Sequence, residues 1–418
     1  MKSGKRTWWA IGTLLVTALL IVVFWPAHPA IEWTHAIHYN AINSPTIGAD
    51  GTIYIADTSG NLTALKPDGT PRWRTSLGLG TGLIGNTVVG PAGEIYVPVF
   101  GVRPAVGLAS VDSEAGRINW IFHTQDSVLA RPVIGADSTV YFGAYDSNFY
   151  ALNPDGSERW RYPTDGKIAS GAIIGNADEV IFVSADNHCH ALHPSGALKW
   201  KVHLGSGAGY VRAPALAPDG SVILAAGTNV LALTPDGDLQ WKTGLTIRDS
   251  AGNVTGSAHA DGSPEVARDG GIYVTTSDGA LFRLHPSGSV DWSFDKGWNR
   301  ASGHPITILP NGELLLIRED SFNYPVGPNA YRDGSKDIEL LRLGVDGSVK
   351  KRLSLPREFV WYRLLDLSRF KEHRHTHFGL RDHQGALQPV LGSNGMIHIR
   401  VKDSKGGRLY AIDSEQLK

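Results

Sequence analysis

The chain has 418 residues, 39 Lys+Arg against 40 Asp+Glu, and a single cysteine. Balanced charge leaves no global basic field to attract nucleic acid. One cysteine excludes an intramolecular disulfide.

The first element is not part of a globular fold. A short basic tail, residues 1–7 with Lys2, Lys5 and Arg6, precedes residues 8–25, WWAIGTLLVTALLIVVFW, which carry no charge. Eighteen residues span about 27 Å as a helix, close to a bilayer core. Trp8, Trp9 and Trp25 flank the run as interfacial aromatics do. The pattern predicts one N-terminal transmembrane helix. Cations before it keep the N-terminus cytoplasmic and put the rest of the chain outside, in the periplasm or extracellular space of a bacterial-type cytoplasmic membrane. The rival is a cleaved signal peptide, but the apolar core is long for one, and His28-Pro29-Ala30 is a poor cleavage site. No cysteine follows the run, which excludes a lipoprotein anchor.

From residue 31 onward the chain is repetitive. SPTIGADGTIYIADTSGNLTALKPDGTPRW at 44–73 recurs in looser form at 86–120 and clearly at 131–160, 171–200, 213–241 and 263–292. A seventh copy starts at 304 and resumes at 337–351, and an eighth runs from 388 to the C-terminus. Each copy reads as four short strands: runs such as Ile53-Tyr54-Ile55 are β-branched or aromatic, and Asp-Gly and Pro-Asp-Gly turns separate them. Eight twisted four-stranded units predict an all-β, eight-bladed β-propeller over residues 31–418.

Trp73, Trp120, Trp160, Trp200, Trp241 and Trp292 each lie four residues after a turn glycine, as expected of side chains that dock one blade on the next. Burying one contributes at most a gross ~4–6 kcal/mol, from ~150–250 Å² at ~25 cal/mol/Å². Lys351 holds this slot in the seventh unit, so that junction should pack differently. The eighth unit stops before its tryptophan. The missing strand is expected at 31–37, IEWTHAI, because Trp33 lies 40 residues before Trp73, as Trp160 does before Trp200. The chain ends would then share one sheet and leave no open edges.

Insertions interrupt the repeat at 98–107, 244–262, 318–336 and 356–387. All fall between the second and third strands or between blades, so they gather on one face, where binding usually evolves. The largest is the most unusual. Residues 350–383 hold nine Lys/Arg and four Asp/Glu, a formal charge of +5. Trp361, Leu364, Leu365 and Phe370 have the spacing of one side of a short helix. Trp361, Arg363, Arg369, Lys371 and Arg374 are the candidate contacts for an anionic partner, either an envelope protein or an envelope polymer. His373, His375 and His377 alternate and His383 follows, which makes these four the candidate divalent-metal ligands. His259 and Asp261 are weaker candidates for a site at the channel mouth.

The repeats resemble the PQQ-like propeller repeat of quinoprotein alcohol dehydrogenases and related bacterial propellers. Ser110-Val111-Asp112, Gly116 and Trp120 carry the Ala-x-Asp-x-x-x-Gly-x-x-x-Trp motif nearly intact, and Ala411-Ile412-Asp413 carries its first half. The resemblance implies a PQQ-dependent dehydrogenase as one reading. The dehydrogenases' adjacent cysteines and haem motif have no counterpart here. The expectation is therefore a membrane-anchored, non-catalytic scaffold that needs no cofactor. The alternative is an enzyme using PQQ or a divalent metal.

Overall fold

The computed structural model describes residues 31–36, 44–78, 81–82, 85–101, 106–205, 212–248, 253–260, 262–277, 280–294, 306–327, 330–355, 389–392, 395–401 and 408–413. Every regular element among them is a β-strand, and none is a helix that would cross a membrane. The apolar run 8–25 lies outside the described residues.

The strands form eight antiparallel blade sheets, built mostly from consecutive strands, and one separate two-stranded hairpin. Blade three is typical: Val133–Ile134, Val140–Gly143, Asn148–Leu152 and Glu158–Pro163. Its second and third strands are buried along nearly their whole length, while the fourth alternates with solvent. Each blade thus has two packed faces and one wet edge. Blade eight takes Val390–Leu391, Met396–Val401 and Arg408–Asp413 from the C-terminal end of the chain and Ile31–Ala36 from the N-terminal end. Ile31 pairs with Ile412 and Ala36 with Arg408, so the expected closure is the observed one.

The core is divided as the sheets are. Eight buried apolar clusters fill the eight seams between successive blades. The seam between blades five and six holds twelve buried residues, including Ile223, Val274 and Phe282. The closing seam, between blades eight and one, holds four: Ile53, Ile55, Leu65 and Leu409, with Trp33 against them. Among the described residues it is the thinnest.

Two insertions read as loops contain strand pairs. Residues 244–262 include a small hairpin, Thr246–Arg248 with Val254–Ser257. Residues 318–336 do not leave the sheet: Leu314–Gly327 and Ala330–Leu343 continue the blade-seven hairpin until Gly327 meets Ala330. Polar residues and Pro325 hid this continuation from a search for apolar alternation.

Candidate binding faces and the blade-docking site

The turn glycines and the tryptophans form one device. In seven blades the fourth-strand indole Nε1–H donates to a carbonyl in the next blade's third–fourth turn. Trp33 reaches Pro67 at 3.1 Å, and Trp73 reaches Ser113 at 2.9 Å. Trp120, Trp160, Trp200, Trp241 and Trp292 reach Pro154, Pro194, Pro235, Pro286 and Val345, each at 2.9 Å. The ring lies over the glycine of that turn. A Cβ on Gly237 (φ +91°) would sit 2.9 Å from Trp200, and one on Gly69 (φ +82°) 2.6 Å from Trp33. Glycine is needed twice over, for the left-handed backbone and for the space. Trp200 is buried and the others keep an edge in water, so the full-burial energy is an upper bound.

The register shifts just before this position in all eight blades. The residue left out of register is polar each time: Glu32, Arg72, Asn119, Arg159, Lys199, Gln240, Asp291 and Lys350. In several blades the bulge turns that side chain toward the first–second turn of its own blade. Arg159 donates to Asp137 and to Thr139, both at 2.6 Å, and Arg72 donates to Asp50 and to Thr52, both at 3.0 Å. Hydrogen bonding from Arg159 holds Asp137 below the usual carboxylate range. The polar residue before each tryptophan is the sequence signal of this clamp.

These clamps lie on the face of tight turns. The opposite face carries the second–third turns and the blade-to-blade segments, which bond to each other: Ala185 N–H to Lys167 O at 2.8 Å, and Leu204 N–H to Asn187 O at 2.9 Å. The described insertions, 246–257 and the blade-seven hairpin extension, emerge on this decorated side. The candidate metal ligands His373, His375, His377 and His383 lie outside the described residues. So do the candidate partner contacts Trp361, Arg363, Arg369, Lys371 and Arg374. His259 is exposed, and Asp261 lies outside the described residues.

The decorated face has a polar cluster that the repeat pattern concealed. On blade four, Asp186 in the second–third turn precedes His188 and His190, which alternate on the third strand, and His203 pairs with His188 from the fourth. His188 Nδ1 lies 3.0 Å from the Asp186 carbonyl, and Lys201 Nζ lies 3.6 Å from Asp186 Oδ2. His190 is fully buried, stacked on Phe182 with ring centroids 5.0 Å apart. Its Nε2 stops 3.7 Å from Asp186 Oδ2, and neither ring nitrogen has a hydrogen-bond partner among the described residues. In blade three Tyr150 stands in the same place and closes the corresponding bond to Asp146 at 2.7 Å. Imidazole is too short to do so. Burial, opposed by the nearby carboxylate of Asp186, pushes the His190 pKa down to about 4, so the ring is neutral near pH 7.

Among the described residues no three His, Cys, Asp or Glu side chains converge as a metal ion requires. Burial pushes the Cys189 thiol up, which suppresses the thiolate. On the innermost strand of blade six, burial raises Glu265 to about 7 against the opposing field of Arg131.

Eight sheets, antiparallel throughout and joined by tryptophan-on-glycine contacts, define a PQQ-like β-propeller. A family model described as outer membrane protein assembly factor BamB matches residues 105–326, more than half of the chain. The chain belongs to that family. The crystal structure of BamB from Moraxella catarrhalis superposes with a TM-score of 0.62 at 14% identity, covering 91% of this chain and 99% of that one. Virginiamycin B lyase from Staphylococcus aureus, selenomethionine-substituted, superposes with a TM-score of 0.50 at 13% identity, covering 68% of this chain and 94% of that one. At these identities the likeness is one of fold. A comparison with curated proteins finds no match.

Proposed function

We propose that this protein is a membrane-anchored, non-catalytic propeller that holds a partner through its decorated face. The observation that carries the reading is the placement of Ile31. It pairs with Ile412 at the end of blade eight where other blades have their third–fourth turn. The chain therefore enters the propeller on the tight-turn face. Only residues 26–30 separate Ile31 from the apolar run, a reach of at most about 17 Å. An anchored propeller turns its tight face to the bilayer and presents the decorated face away from it. Membership of a family described as an assembly factor supports a role in holding another protein. The basic segment 350–383 favours an acidic surface on that partner, and an anionic envelope polymer is the alternative occupant.

The test is site-specific photo-crosslinking in membranes with the full chain. Probes at Lys167 and His203 on the decorated face should give adducts with a partner. Probes at Asp155 and Asp236 on the tight face should not. Adducts formed equally from both faces, or from the tight face alone, refute the proposal. The enzymatic alternative is tested separately by titrating the purified chain with PQQ and Ca²⁺. Sub-micromolar quinone binding would favour it.

A further inference from the structure

The first strand of each blade lies nearest the propeller axis. Its two residues, Thr46–Ile47 in blade one through Val390–Leu391 in blade eight, are half-buried in all eight blades. The second strands behind them, such as Val140–Gly143 and Val222–Ala226, are buried throughout. Buried clusters cover both faces of every sheet, so the surface that the first strands keep opens inward, on an axial channel. Neighbouring first strands approach closely, and Thr46 Oγ1 donates to Thr87 O of the next blade at 3.0 Å.

The channel lining is chemically uniform but for one residue. Thirteen of the sixteen first-strand residues are aliphatic, two are threonine, and one is Glu265. Glu265 pairs with Tyr273 as Thr46 pairs with Tyr54, so the two hold the same ring position. Burial raises the Glu265 pKa, only the field of Arg131 opposes this, and no hydrogen bond to the carboxylate contributes. A carboxylate set in an aliphatic wall without a close partner is costly unless a cation meets it. The backbone adds acceptors beside it. Ala267 N–H donates to Gly271 O at 2.9 Å, and Leu309 N–H donates to Glu313 O at 2.7 Å. Bonded positions alternate along an antiparallel pair, so the carbonyls of Val266 and Ile308 point away from their own sheets and into the channel.

We propose that the axial channel binds a small aliphatic primary amine, with its ammonium group against Glu265 and its alkyl chain along the aliphatic wall. An ammonium group has three donors and no acceptor, which suits one carboxylate and flanking carbonyls. A divalent metal ion needs several ligands, and among the described residues no three His, Cys, Asp or Glu converge. Charge sets the route of entry. Arg131 lies two residues before the first strand of blade three, at the decorated mouth. At the tight mouth the first–second turns carry Asp178 and Asp219, both exposed. A cation is therefore drawn in from the tight face. The site is separate from whatever the decorated face holds.

The test is calorimetric titration of the full chain in detergent with n-butylamine at pH 7. The native chain should bind it saturably. Glu265→Gln keeps the size of the side chain and should weaken binding about tenfold or more. Its melting temperature checks that it folds. A second readout needs no variant. Because Glu265 titrates near 7, an ammonium that ionises it should release up to about half a proton at pH 7, measured in buffers of different ionisation enthalpy. The release should vanish at pH 9. No saturable binding, equal affinity in the two chains, or no proton release at pH 7 overturns the proposal. So does n-butanol binding as tightly as the amine, which would mean an apolar cavity alone. Displacement of the amine by equimolar K⁺ also overturns it, since it would mean a site for a bare ion.

Discussion

The indole of Trp33 donates to the carbonyl of Pro67 at 3.1 Å, and its ring lies against Gly69. One residue comes from the strand that closes the ring, and the other from the first blade of the repeat. The contact that holds this N-terminal strand to blade one is therefore the same contact that holds each internal blade to the next. Its neighbourhood is thinner, with four buried residues in the seam.

Ring closure should therefore fail first. Deleting Ile31–Ala36 removes the fourth strand of blade eight and leaves Arg408–Asp413 as a bare edge. The expected result is a lower melting temperature together with aggregation, read by thermal denaturation with light scattering. A melting curve unchanged by the deletion would show that the closing strand adds no stability.

The glycine under each indole makes a graded prediction. Gly237→Ala puts a Cβ 2.9 Å from Trp200 at a left-handed backbone position. It should cost about 2–4 kcal/mol from strain plus overpacking. Gly205→Ala is the control, with φ +93° but no atom within 4 Å. It should cost only about 1–2 kcal/mol. Urea denaturation of both variants separates the packing from the backbone effect.

Lys351 stands where seven blades have tryptophan, and it faces the one blade whose third–fourth connection is divided between the chain ends. Among the described residues an indole there would meet neither a turn glycine nor a turn carbonyl. Lys351→Trp should therefore raise stability by less than about 1 kcal/mol, far below the value of a docked tryptophan. A gain comparable to the loss in Trp160→Ala would show that the slot needs no hairpin.

Two buried histidines set the acid limb of stability. Burial lowers both His190 and His398 to about 4 from an ordinary value of 6.5. Above pH 6.5 their contribution is fully present. As pH falls from 6.5 to 4 the unfolded chain binds protons that the folded chain refuses, and each histidine removes up to about 3 kcal/mol. Glu265 acts in the opposite sense, since a carboxyl raised to about 7 contributes stability that is lost as pH rises from 4.5 to 7. His398 packs against Trp33 in the slot where Tyr54, Tyr96, Tyr141 and Tyr273 meet their own tryptophans. His398→Tyr should flatten the decline of urea stability between pH 6.5 and 4. If the slope is unchanged, His398 does not titrate in that window.

The sequence by itself determined the blade number, the strand order and the closure through Trp33, because each rests on local spacing repeated eight times. Turn glycines and β-branched runs are local signals, and repetition makes weak ones strong. Only the tertiary structure decided what the repeated positions do. That these tryptophans donate a hydrogen bond to the following blade, and that a polar bulge residue clamps the first turn, depends on contacts between residues 20 to 53 apart in the chain. The unmet reach of His190 toward Asp186 emerges only when blade four is set beside blade three, where tyrosine bridges the same gap. The extended blade-seven hairpin was equally hidden, because pairing between its polar strands is set by backbone register and leaves no apolar alternation to read.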